Sequence, residues 1–259
     1  MRAGAGLARR TALNAFARGA SCYARDARLQ QAVAWRLARC CLELPLPEGP
    51  VADLGAGSGN LSRALSAQRP GLEPLLVDNC PELLAEAAVP AGRCRRWDLN
   101  TGLPPEARAA ALLLSSVALH WLQAPEQQVR HWCEQLRPGG WLALAVPLEG
   151  SFASWHQAAE RAGVACSALP LPREGDLLAA LPPVCRPQRQ QRLRFSCRYP
   201  SAKAFLAELK RHGVNGGASA QLSPSELRRL LKHWPMQEQD QGVSLNWDLL
   251  LLLARRDDS

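Results

Sequence analysis

Apolar residues recur at helical spacing from Leu13 through Phe16, Ala17 and Ala20, then from Leu29 through Val33, Leu37, Cys41 and Leu44, with arginines on the opposite face. One or two helices are therefore expected ahead of the core. Leu46-Pro47-Glu48-Gly49-Pro50 breaks that pattern, and the apolar run 51–54 then ends in a glycine-rich turn, which reads as strand, turn and helix. Residues 60–68 supply the helix and Pro70-Gly71 stops it. Residues 74–78 read as a second buried strand, 82–88 as a helix, 93–97 as a short strand and 110–117 as a fully apolar one. Residues 125–136 read as a helix ended by Arg137-Pro138-Gly139-Gly140, and 141–146 as the next strand. Strands are also expected at 192–197 and 244–255, and helices at 201–212 and 223–233, the latter opened by the cap-like Ser223-Pro224-Ser225-Glu226. Alternation at this spacing predicts an α/β domain, a mainly parallel sheet covered by helices on both faces, with its ligand at the carboxyl ends of the strands.

Composition narrows the classes. The chain has 259 residues, 47% of them hydrophobic, enough for one large packed domain. Its longest aliphatic runs, such as 249–253, fall far short of the roughly 20 residues of a membrane helix, so a soluble, cytoplasmic protein without membrane contact is expected. The arginine-rich, acid-poor start also admits an organellar transit peptide, although it continues into the helical pattern. Nine cysteines without any Cys-x-x-Cys pair indicate neither a metal site nor a disulfide framework. Lys plus Arg at 31 against Asp plus Glu at 23 gives a net charge of +8, which calls for an anionic partner. The excess is concentrated in two stretches. Eight arginines face only Asp26 in residues 1–40, and Arg186, Arg189, Arg192, Arg194, Arg198, Lys203, Lys210 and Arg211 face only Glu208.

The sharpest local signal is Asp53-Leu54-Gly55-Ala56-Gly57-Ser58-Gly59. Alternate glycines let the backbone turn tightly after the strand and approach a ligand, while the next helix offers its N-terminus to an anionic group. A dinucleotide fingerprint would place its third glycine where Asn60 stands. Here the loop resembles the first motif of class I S-adenosylmethionine-dependent methyltransferases, which implies their Rossmann-like fold with a seven-stranded, mostly parallel sheet. On that resemblance Asp53, Gly55, Ala56, Gly57 and Gly59 form the cofactor loop. Asp78, 21 residues after Gly57, with its neighbour Asn79, takes the ribose hydroxyls. Asp98 and Leu99 meet the adenine, and Ser115 ends the fourth strand beneath the methyl group. As plain turn or cap residues, Asp78 and Asp98 also have a structural reading.

The segment after strand four narrows the acceptor. Ser115-Ser116-Val117-Ala118-Leu119-His120-Trp121 contains neither an Asn-Pro-Pro-aromatic nor a Pro-Cys motif, so no nucleic-acid partner is expected. Three phrases then resemble one family, BioC, the malonyl-[acyl-carrier protein] O-methyltransferases of biotin synthesis. They are residues 15–23 with 27–30, Ala118-Leu119-His120-Trp121, and 205–215, which includes Leu209-Lys210-Arg211-His212-Gly213-Val214-Asn215. The likeness spans about residues 11–255 and departs at His120, where glutamine is commoner, and at Ala56. It implies one domain: N-terminal helices over the cofactor (1–45), a cofactor core (46–150), a lid and substrate region (151–243) and a final strand and tail (244–259). It also implies a monomer, an acidic carrier-protein partner docking on the two arginine stretches, Tyr23 and His120 shaping the catalytic pocket, and Trp121, Lys210 and Asn215 contacting substrate. Each of these has a bland alternative as a core tyrosine, a satisfied histidine or a solvated lysine. Two other functions stay open: a small-molecule methyltransferase for a quinone precursor or another carboxylic acid, and a non-catalytic assembly factor.

Overall fold

A computed structural model describes residues 2–212, 222–235 and 242–258. Two helices, α1 (Arg2–Asp26) and α2 (Arg28–Cys40), come first. They are separated by Ala27 alone, whose N–H donates to the Tyr23 carbonyl and whose own carbonyl accepts from Gln31 N. Seven strands succeed them: β1 (Val51–Leu54), β2 (Leu75–Asp78), β3 (Cys94–Arg96), β4 (Ala110–Ser116), β5 (Leu136–Pro147), β6 (Cys185–Tyr199) and β7 (Val243–Arg256). They form one sheet in the order β3-β2-β1-β4-β5-β7-β6. Strands β1 to β5 are mutually parallel, and β7 runs antiparallel to both β5 and β6, so among the described strands it is the one reversed.

The central strands are buried on both faces, as their uninterrupted apolar runs require. In β4, Leu112 and Leu114 point to one face and Leu113 to the other; in β7, Leu249, Leu251 and Leu253 oppose Leu250 and Leu252. The first face is covered by α2, α3 (Asn60–Gln68), α6 (Ala153–Ala162), α8 (Ala202–Arg211) and α9 (Pro224–Lys232), through Val33, Leu61, Trp155, Phe205 and Leu230. The second is covered by α5 (Pro125–Glu134) and α7 (Glu174–Ala179), through Val129, Trp132 and Leu177. The short α4 (Pro81–Ala85) lies beyond β2. Among the described residues no helix is long and apolar enough to cross a membrane.

The architecture expected from periodicity is present, with three local differences. The helix expected at 82–88 ends at Ala85, and Ala88 adopts φ 52°. The helix expected to reach Leu136 stops at Glu134, and the Pro-Gly-Gly segment read as a terminator belongs to β5. Leu136 pairs with Ala110, the register slips between Ala110 and Leu112, and Gly139 takes φ +73°. A Cβ at Gly140 would lie 2.7 Å from the Ala110 carbonyl oxygen, so the glycines let the strand cross a bulge. Strand β6 begins at Cys185 rather than 192, because Arg186 to Gln190 are exposed at the sheet edge and carry no apolar alternation.

Candidate active site

The strand order reverses between β1 and β4, and there a cavity of about 350 Å³ opens at the carboxyl ends of the strands. Leu54 and Gly55 enter it from β1, Asp78, Asn79 and Cys80 from β2, and Trp97, Asp98, Leu99 and Asn100 from the end of β3. Ala118, Leu119 and Trp121 come after β4, while Leu13 and Phe16 of α1 form the roof.

The glycine loop and Asp78 hold each other. Gly57 N–H donates to Asp78 Oδ2 and Cys80 N–H to Asp78 Oδ1, both at 2.8 Å, so both carboxylate oxygens are fixed by backbone donors and the group keeps acceptor capacity for a ligand hydroxyl. Burial raises the Asp78 pKa above the ordinary carboxylate value, and the bonds from Cys80, Gly57 and Asn79 oppose that rise. Gly55 has φ +71°, and a Cβ there would come within 2.3 Å of the Ala118 Cβ. Ala118 is brought up to the loop by Val117, a β-branched residue held at φ 54°, a conformation costing on the order of 1–3 kcal/mol. The third edge is made by Asp98, whose Oδ1 accepts from Asn100 N at 3.0 Å and Asn100 Nδ2 at 2.6 Å, while Trp97 Nε1 donates to the Gly102 carbonyl at 2.9 Å. S-adenosylmethionine fits this donor set: a side-chain-free turn at Gly55, a preorganised carboxylate at Asp78 for two hydroxyls, and the Asp98-Leu99 turn beside apolar Leu119 and Trp97 for a flat base.

The remaining wall is aromatic. Trp121 meets Phe16 edge-on at 5.0 Å, Phe16 meets Tyr23 at 6.2 Å, and Tyr23 meets His212 at 6.2 Å. Burial, and secondarily the Asp78 carboxylate, pushes the Tyr23 phenol well above its ordinary range. His120 stacks at a tilt on Trp121, is only 8% exposed, and has no hydrogen-bond partner for Nδ1 among the described residues. Burial lowers its pKa to about 3, so the imidazole is neutral at physiological pH.

Of the residues expected at the site, Gly55, Asp78, Asn79, Asp98, Leu99 and Trp121 line the cavity together. Asp53 is turned away: its Oδ2 accepts from Ser62 N at 3.1 Å and Ser62 Oγ at 2.8 Å, tying β1 to α3, and burial raises its pKa to about 7. Ser115 donates to the Leu54 carbonyl at 2.8 Å and joins β4 to β1. Gly57 contributes through its bond to Asp78, and Ala56 and Gly59 shape the loop behind it. Tyr23 and His120 reach the site through Phe16 and Trp121. Lys210 is exposed on α8, and Asn215 lies outside the described residues. Sequence reasoning missed Leu13, Phe16 and Cys80. The helical stripe already contained Leu13 and Phe16 as core positions, and only the fold shows that they cover a cavity.

A methyltransferase domain model matches residues 23–246. The chain is 31% identical to a malonyl-[acyl-carrier protein] O-methyltransferase of Alcanivorax borkumensis, over 93% of this chain and 84% of that one. The chain belongs to the BioC family of methyltransferases. A trans-aconitate 2-methyltransferase of Mycobacterium tuberculosis is 34% identical over a shorter stretch, 43% of this chain and 41% of that one. In fold, the chain resembles the crystal structure of a Bacillus halodurans C-125 protein assigned to the methyltransferases, with a TM-score of 0.58 at 15% identity, over 85% of this chain and 98% of that one. The chain is thus an S-adenosylmethionine-dependent O-methyltransferase with a class I fold.

Proposed function

We propose that this chain methylates the free carboxylate of a malonyl thioester carried on an acyl-carrier protein, giving the methyl ester that enters pimeloyl and biotin synthesis. The observation that carries the reading is the chemistry of the cavity lining: among the described residues Asp78 and Asp98 are its only carboxylates, both already engaged with backbone or amide donors, and no histidine, lysine or arginine lines it. A site without a free base suits an acceptor that needs none. A carboxylic acid with a pKa of about 4 is already ionised at neutral pH. When bound, S-adenosylmethionine supplies an electrophilic methyl group on a sulfonium.

The chain's part is placement and dryness. Asp78 and the Gly55–Gly57 turn hold the ribose side, and Asp98 and Leu99 the base. Phe16, Leu13 and Trp121 exclude water around a weak oxygen nucleophile, which raises its reactivity. His120 and Tyr23 act from behind that wall, through their ring contacts with Trp121 and Phe16, and neutral His120 brings no positive charge near the attacking oxygen. The test is to incubate the purified chain with labelled S-adenosylmethionine and, in parallel, malonyl-carrier protein, malonyl-coenzyme A and trans-aconitate. Label on the malonyl thioesters supports the reading. Label on trans-aconitate alone, or on none, overturns it.

A further inference from the structure

The two basic stretches have different fates in the fold. Along β6 the arginines are largely answered: Arg194 forms a two-pronged pair with Asp248 at 2.6 and 2.9 Å, Arg192 bonds Glu174, and Arg186 lies 3.5 Å from Asp257. Arg211 faces Glu208 at 3.9 Å. On α2, by contrast, Arg28, Arg36 and Arg39 are exposed and make no ion pair among the described residues, the nearby Asp26 being taken by Arg25 at 2.9 Å. Between them stands Trp35, 52% exposed, more than any other large hydrophobic residue described. At 100° per residue, positions 28, 32, 35, 36 and 39 fall within an arc of about 100°, opposite the buried Val33, Ala34, Leu37 and Ala38. The face therefore runs about 16 Å along the helix. Its first residue, Arg28, follows Tyr23 by five positions in the chain, and the Tyr23 ring meets Phe16 of the cavity lining.

We infer that this outer face of α2 is the docking surface for the acidic carrier protein. A solvent-exposed tryptophan ringed by unpaired arginines has the composition of an interface hot spot, with the ring filling an apolar depression and the guanidiniums pairing with carboxylates around it. No described residue of the chain answers these charges, so an acidic partner gains contacts without first breaking internal pairs, as it would have to do on β6. The inference rests on the carrier-protein reading above and adds where that partner sits.

The test compares the wild type with Arg28→Glu/Arg36→Glu/Arg39→Glu and, separately, Trp35→Ala, using malonyl-carrier protein and malonyl-coenzyme A as acceptors. Each variant is expected to raise KM for the carrier substrate about tenfold while KM for malonyl-coenzyme A stays within about twofold. Raising the salt concentration should weaken wild-type use of the carrier more than that of the charge-reversed variant. If the wild type methylates both thioesters and the variants change neither KM or both equally, the docking assignment fails and the activity stands. A wild type that methylates neither thioester removes the underlying reading instead. Sedimentation of wild type and variant gives one more overturning result: a wild-type dimer that the charge reversal dissolves makes this face a contact between two copies.

Discussion

Asp78→Asn isolates the hinge of the cofactor site. The side chain keeps its size, but one carboxylate oxygen becomes an amide nitrogen facing either Gly57 N–H or Cys80 N–H, each now held at 2.8 Å. One charge-assisted bond is lost and one donor is left opposite another donor. A hydrogen bond to a charged group contributes about 1.5–3 kcal/mol, and under the proposed ribose role the same substitution also removes an acceptor for one hydroxyl. The expected loss of S-adenosylmethionine affinity is about 10- to 100-fold, read as Kd by isothermal titration calorimetry. Global stability should change much less, because burial already opposes the Asp78 charge and neutralising it relieves that cost. The pH dependence gives a second reading of the same group. With its pKa raised by burial, Asp78 takes up a proton at a higher pH than an ordinary aspartate, so wild-type affinity should fall as the solution is acidified. In Asp78→Asn that fall should flatten. A correctly folded variant with Kd within about twofold of the wild type would refute the ribose role, whatever its stability.

Gly55→Ala should abolish measurable cofactor binding and lower stability by about 2 kcal/mol or more, since it combines φ +71° with a 2.3 Å approach to Ala118; Gly55→Ala/Ala118→Gly should recover part of the stability in thermal melts. For Asp53, the folded-state pKa of about 7 lies above its unfolded value, so the native state binds the extra proton and the contribution of this group to stability falls as pH rises from about 4 to 7. Asp53→Asn, which keeps an acceptor for Ser62, should therefore gain on the wild type in Tm as pH rises, and a pH-independent difference would remove the argument. His120→Phe removes a buried nitrogen without a partner and should stabilise the fold by about 1 kcal/mol while raising acceptor KM; a loss of stability with unchanged KM would show a purely structural histidine.

The glycine loop and the carboxylate that holds it were legible because their requirements are local. A strand, a turn that only glycine enters easily and a carboxylate one strand later sit within residues 53–78, and each is set by backbone geometry that leaves a mark on residue type. The aromatic wall of the cavity was not, because it is assembled across long separations from residues whose types are those of an ordinary core. Phe16 and Trp121 are 105 positions apart in the chain and meet at 5.0 Å. Periodicity marked Phe16 as buried and could not say that its neighbour is a cavity. Asp53 shows the converse: its place in the glycine motif suggested cofactor contact, whereas its carboxylate faces Ser62 and holds the start of α3.

Charge required the fold in the same way. Residue by residue the two arginine stretches are alike, each with a single acid among its bases. What separates them is which strands and helices lie beside them. Strand β6 pairs with β7, whose Asp248 stands directly opposite Arg194, and α7 brings Glu174 to Arg192. These acids are 54 and 18 residues away in the chain and no composition window joins them to the arginines they answer. Helix α2 packs its apolar face on α3 and β5 and turns its arginines to a side where no described acid is delivered. A net charge of +8 spread over both stretches would attract any polyanion weakly. On the docking inference above, three arginines on one helix face, unpaired among the described residues and beside an exposed tryptophan, call for a partner that presents both carboxylates and an apolar depression, a demand that a folded acidic protein meets and a nucleic-acid backbone does not.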